Sequence, residues 1–221
     1  MKTITKPLLI FFTLTLFFST LYAQRQIKEG VATYSATYDL PADQKDMAAA
    51  LPSEIICFFR GDSTAAIVNQ GGATIKGVSV FKDNYHSMII DFLSIDKKVV
   101  VVLTLAEVEE EKATNPTLTA VKGTETQVIN GYKCFKTVVT DKKSGAAYEI
   151  WLTNDIDFTP NSVSKAVSGF GGVPVKFVTF NHGIKVNAEL KGLTETSVPP
   201  GFFTATKDYE PMSYADLKAV L

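Results

Sequence analysis

Apolar and polar residues alternate along most of the chain. In residues 31–38, Ala32, Tyr34, Ala36 and Tyr38 point one way, and Thr33, Ser35 and Thr37 point the other. A period of two over this length predicts a half-buried strand. Residues 184–190 alternate more strictly, with Ile184, Val186, Ala188 and Leu190 against Lys185, Asn187 and Glu189. Tyr148, Ile150 and Leu152 alternate with Glu149, Trp151 and Thr153. Further runs at 54–60, 64–69, 74–81, 87–92, 99–105, 134–140 and 175–180 are rich in β-branched and aromatic residues, which suit a pleated surface. Gly61-Asp62, Gly71-Gly72, Asp83-Asn84, Asp96-Lys97, Ser144-Gly145 and His182-Gly183 separate them as turns. Short strands joined by short turns predict an antiparallel sheet and not βαβ units.

The run Val99-Val100-Val101-Val102-Leu103 is apolar at every position, so such a strand needs cover on both faces. The candidate covers are short helices. Residues 43–51 form one, stopped by Pro52. Residues 106–113 form a second, whose Glu-rich run reads as a solvated face. Asn161 is placed to cap a third over 162–170, with Val163, Ala166, Val167 and Phe170 on one side. Ser213 and Asp216 resemble a capping box opening a final helix. The expected architecture is mainly β (α+β). It is a curved antiparallel sheet, or half-barrel, of about nine to eleven strands with a few short helices on its concave side. No linker or repeat divides the chain, so residues 24–221 are read as a single domain.

Residues 1–23 read as a secretory signal peptide. Lys2 and Lys6 precede the apolar stretch from Leu8 to Leu21, and Ala23 supplies the small residue before the cut. The stretch is short for a bilayer span, so no stable membrane span is expected once it is removed. The expected location is the periplasm or the extracellular space. An oxidising compartment leaves two readings for Cys57 and Cys134, a disulfide or two separate buried thiols.

The 221 residues carry 22 basic and 23 acidic side chains, a net charge of −1. Such a balance argues against nucleic acid as a partner. Two His and two Cys are too few for most metal sites, and no metal or cofactor is expected. Gly61-Asp62-Ser63 resembles the nucleophile block of GDS-type esterases. A catalytic serine needs a base, however, and the late His182 lacks the Asp that such enzymes place before it. A turn explains the tripeptide better, and the protein is expected not to be an enzyme. His86 and His182 have no ligand spacing and read as turn residues. The remaining signal is apolar surface in flexible loops, at Gly169-Phe170-Gly171-Gly172-Val173-Pro174 and Val198-Pro199-Pro200-Gly201-Phe202-Phe203. Mobile apolar loops of this kind would suit the mouth of a ligand cavity.

The segment Val128-Ile129-Asn130-Gly131-Tyr132-Lys133-Cys134-Phe135-Lys136, followed by Tyr148-Glu149-Ile150-Trp151-Leu152-Thr153, resembles a hairpin and strand of the domain-of-unknown-function family numbered 4412. The aromatic that follows the Cys is displaced by about a position, at Phe135. The tail from Val198 to Pro211 resembles the closing segment of that family and of relatives of the lipoprotein carrier LolA. The resemblance implies an exported bacterial protein with a LolA-like half-barrel, an apolar cavity in some members, and no catalytic residues. It implies a turn at Gly131 and a place for Trp151 at the sheet surface or cavity wall.

The leading expectation is an exported protein that binds an apolar or lipidated ligand in a half-barrel cavity, with Phe170, Phe202, Phe203 and Trp151 as its lining. The alternative is an envelope interaction protein with a filled core, contacting a partner protein through a sheet edge or the 198–203 loop. A hydrolase using Ser63 stands third.

Overall fold

The computed structural model describes residues 24–220. The expected targeting segment, residues 1–23, lies outside the described residues. The strands run in chain order as β1 (Arg25–Gln26), β2 (Glu29–Asp39), β3 (Glu54–Arg60), β4 (Ser63–Gln70), β5 (Ala73–Val80), β6 (Tyr85–Phe92) and β7 (Lys97–Leu103). Helix α1 (Leu105–Ala113) follows, then β8 (Leu118–Ile129), β9 (Tyr132–Asp141), β10 (Ala147–Thr153), β11 (Ile156–Asp157), β12 (Val173–Asn181), β13 (Ile184–Glu195), β14 (Glu210–Pro211) and α2 (Tyr214–Val220).

Twelve of the strands form one sheet in the order β14-β7-β6-β5-β4-β3-β2-β13-β12-β10-β9-β8. It is curved and does not close into a barrel. Neighbours pair antiparallel except β14, which lies parallel to β7. The small β1 and β11 pair with each other in parallel. The expected mainly β architecture is therefore present, with twelve strands in its sheet.

Two-residue turns explain why the strands meet in sequence. At the β8–β9 turn Asn130 has φ 50° and Gly131 has φ 85°. At the β12–β13 turn His182 has φ 47° and Gly183 has φ 79°. Positive φ at both central residues gives a turn whose twist matches the strands it joins, and Gly takes that conformation without a Cβ penalty.

Two of the four expected helices differ from the expectation. Residues Ala42–Ala50 form a 3₁₀ helix that buries nothing, because its sequence has no apolar stripe to present to the sheet. Residues 162–170 form consecutive turns in place of a regular helix. Asn161 still caps them, accepting from the N–H groups of Val163 (3.0 Å) and Ser164 (3.2 Å). The final helix begins as expected, with Ser213 Oγ accepting from the Asp216 N–H at 3.0 Å. Thr104 and Glu107 build a full capping box on α1.

Strand register fixes two faces. Following the Cα partners, Tyr34, Cys57, Ala66, Gly77, Met88 and Val101 lie on one face, here the helix face. Phe58, Ala65, Val78, Ser87 and Val102 lie on the other, the tail face. On the helix face α1 and α2 bury Val99, Val101 and Leu103 beneath Val108, Tyr214 and Leu217. A strap, residues 158–170, covers Tyr34, Phe59 and Leu190 on the same face through Phe158, Val163 and Val167. On the tail face residues 197–209 cover Ala65, Val78 and Ile89 through Val198 and Phe203. The doubly apolar strand β7 is thus covered on both faces along much of its length, with Val102 left 56% exposed.

Candidate functional site

The strap is held to the sheet at three points. Phe158 stacks on Phe59 with centroids 5.0 Å apart. Thr159 Oγ1 donates to the Gly61 carbonyl. The fully buried Asn161 donates from Nδ2 to the Tyr34 hydroxyl at 3.1 Å. Burial raises the Tyr34 phenol well above its ordinary value, so it stays neutral. The helices are held on the other side of the same face. Tyr214 donates to Glu111 at 3.1 Å, and Lys218 pairs with Glu110 at 2.8 Å.

Between the strap and the helices a strip of the helix face is left half-buried. Its floor is Ala66 and Val68 of β4, Ile75, Gly77 and Ser79 of β5, and His86 and Met88 of β6. Ala66 and Val68 border the cluster under the strap, and Ile75 and Met88 border the cluster under the helices. Gly77 sits between the two, and among the described residues no atom lies within 4 Å of a Cβ built there. The strip is therefore a trough, lowest where the side chains are smallest. At about 3.3 Å per strand residue, its length along β5 from Ile75 to Ser79 is about 13 Å.

One end of the trough is polar. The Ser79 hydroxyl and His86 Nδ1 are 3.0 Å apart across β5 and β6. Burial, then the positive charges of Lys165 and Lys112, hold His86 below the ordinary imidazole value and keep it neutral. Lys165 belongs to the strap and lies 4.7 Å from the centroid of the Phe81 ring. Burial and Lys112 lower its own value, and Glu109 opposes them. Lys112 is paired with Glu109 at 2.5 Å. Lys165 forms no ion pair among the described residues.

The residues singled out from sequence do not converge. Phe170 is half-buried against the cluster beneath the strap. Phe202 and Phe203 lie on the tail face, where Phe202 packs at 4.4 Å from Phe58 and Phe203 is 5% exposed. Trp151 is half-buried on β10, opposite Lys136 and Lys176 of the neighbouring strands. None of these four lines either of two open spaces on the surface. One is a polar pocket of about 250 Å³ bordered by Asn154, Asp157, Ser164, Ser168 and Gly171. The other is a surface depression between Lys97, Lys98, Asp208 and Glu210.

The 198–203 loop is also engaged on the sheet. Arg60 donates to the Val198 carbonyl at 3.0 Å, and Lys76 donates to the Phe202 carbonyl at 3.0 Å. Cys57 and Cys134 are both free and buried, so the disulfide considered from sequence is not formed. They stand on β3 and β9, five steps apart in strand order, or about 24 Å along the sheet. Burial raises both thiols, Cys134 to about 11, which leaves them protonated and unreactive at neutral pH.

Ser63 donates to Asp62 at 3.2 Å, in the turn at the Gly61 end of the sheet. His182 stands in the β12–β13 turn, at the end where Lys185 pairs with Asp39 of β2, and Gly61 is beside Lys28 at the start of β2. The two are at opposite ends of the strands, so no Ser63–His182 pair exists. Among the described residues no group of three or more His, Cys, Asp or Glu is placed to hold a metal, and no helix is long and apolar enough to cross a membrane.

The trough was missed from sequence because its members become neighbours only through register. One signal was present, a Gly inside the strand pattern Ala73-Thr74-Ile75-Lys76-Gly77-Val78, which marks a weak strand position or a close approach by another group.

Fold and site together define an open antiparallel-sheet protein with a half-covered apolar trough on one face. No family model matches the chain, and no curated protein does. Among solved structures it is similar to PNGF-II in a C2 space group, with 16% identity and a TM-score of 0.49. That match covers 86% of this chain and 32% of PNGF-II, so the chain spans about a third of its length.

Proposed function

We propose that the protein binds an apolar, lipid-like chain in the trough between the strap and the helices. The observation that supports this is the half-buried apolar strip on β4–β6, with open space above Gly77. An extended hydrocarbon laid along it would be removed from water by Val68, Ile75 and Met88, and no reaction is required. The expected export of the chain suits such a role, as does the LolA-like resemblance of its hairpin and tail. Titration calorimetry with straight-chain alcohols tests the reading. Affinity is expected to rise about fourfold per added methylene, from roughly 0.8 kcal/mol per buried CH₂, until the trough is filled. The variant Gly77→Leu fills the trough where nothing opposes a Cβ, and it is expected to abolish binding. No binding by the unaltered protein, or undiminished binding by the variant, would contradict the proposal.

A second reading has its own support. Strand β8 is a twelve-residue edge strand whose Val121 and Val128 are each 72% exposed. A long open edge is a template for pairing with another chain. In this reading the protein adds a partner's strand at β8, and Val121→Lys with Val128→Lys would abolish the association in sedimentation experiments. Unchanged association would dispose of it.

A further inference from the structure

We infer that the chain bound in the trough carries a carboxylate head group, held at the Ser79–His86 end by Lys165. This inference rests on the proposed apolar site and adds the chemical class and orientation of its ligand.

Two cations, Lys165 and Lys112, stand beside a neutral imidazole at that end. Lys165, Lys112 and the His86 ring are near enough for both lysines to act on the imidazole. Lys112 is already balanced by Glu109 at 2.5 Å. Lys165 shares the charge of Glu109 with Lys112 and forms no ion pair of its own among the described residues, and its ammonium rests 4.7 Å from the centroid of the Phe81 ring. Two lysines against the one carboxylate of Glu109 leave one positive charge beside an apolar trough, which complements one negative charge on an apolar chain. When the Ser79 hydroxyl donates to His86 Nδ1, neutral His86 carries its proton on Nε2 and presents a second donor. A carboxylate can accept from both, since its two oxygens offer about four lone-pair sites. Register fixes the direction. Ser79 and His86 lie at the Phe81 end of β5 and β6, so the chain would run from there over Gly77 toward Ala73.

The experiment compares dodecanoate, dodecanol and dodecyl phosphate by calorimetry at neutral pH, with the whole protein and with Lys165→Gln and Lys165→Arg. Dodecanoate is expected to bind about tenfold more tightly than dodecanol, the scale of one hydrogen bond to a charged group. That gap should close in Lys165→Gln and persist in Lys165→Arg. Equal binding of dodecanoate and dodecanol by the unaltered protein would overturn the head-group assignment while leaving the apolar site standing. Preference for dodecyl phosphate would overturn the assignment to a monoanion. Failure of all three chains to bind would overturn the inference together with the reading on which it rests.

Discussion

The two faces of strands β4–β6 are built from adjacent residues and end in different states. On the tail face Ala65, Val78 and Ile89 are buried under Val198 and Phe203. That cover is secured by Arg60 and Lys76, each donating to a carbonyl of the tail. On the helix face, one residue along each strand, Ala66, Gly77 and Met88 stay half-buried. The difference follows from side-chain size and from what lies above. The tail face receives two phenylalanines that fill it. The helix face receives a strap and two helices that stop short of one another over a floor of small residues. A filled face contributes stability, and a face left open over small residues has room for a ligand.

Removing the filled side should have the largest effect. Phe203→Ala opens a cavity under the tail and is expected to cost about 3–5 kcal/mol in denaturant unfolding, the usual range for a buried Phe. If the tail were only loosely laid on the sheet, the loss would fall below about 1 kcal/mol. Next comes the strap. Asn161→Ala removes the cap on Val163 and Ser164 and leaves the buried Tyr34 hydroxyl without its donor. A loss of about 1–3 kcal/mol is expected, and an unchanged midpoint would show that Phe158 stacking and the Thr159–Gly61 hydrogen bond hold the strap without it. The open side should respond less than either. Gly77→Leu is expected to change stability by less than about 1 kcal/mol, since nothing within 4 Å opposes the new side chain. A larger loss would mean that the trough is already occupied by the protein itself.

The smallest expected effect is a dependence on acid. Hydrogen bonds from Lys98 first, and then Thr206, hold the Asp208 carboxyl at about 2. Its folded value is below its unfolded one, so its contribution is present above the unfolded carboxylate range and is lost as pH falls toward 2. Asp208→Asn is expected to flatten the unfolding midpoint between about pH 4 and pH 2. An identical acid profile for the variant would mean that Asp208 does not tie the tail to β7.

Much of the sheet is legible in the sequence, and the reasons are local. β3 is continuous with its predicted run because its apolar residues and the Gly61-Asp62 turn both mark its limits. β8 is not legible. Its Lys122, Thr124, Glu125, Thr126 and Gln127 are exposed, as an edge strand allows, so no apolar alternation marks it. Residues 162–170 show a helical spacing of Val163 and Val167, and both are buried. The chain buries them in successive turns, because Ser164 and Ser168 offer side-chain bonds that compete with a regular helix. The loop aromatics read as a cavity mouth because exposure cannot be told from sequence. Phe202 and Phe203 answer to the tail face, where they complete a core. Ser79 and His86 lie seven residues apart in the chain and meet only across the β5–β6 turn.

The central claim is that the open strip of the helix face takes an apolar chain. Photolabelling tests it most directly, using an acyl chain that carries a diazirine near its middle, followed by peptide mapping. The account predicts label on Val68, Ile75 or Met88, and its loss in Gly77→Leu. Label on Phe202 or Phe203, or label that is indifferent to Gly77→Leu, would contradict it.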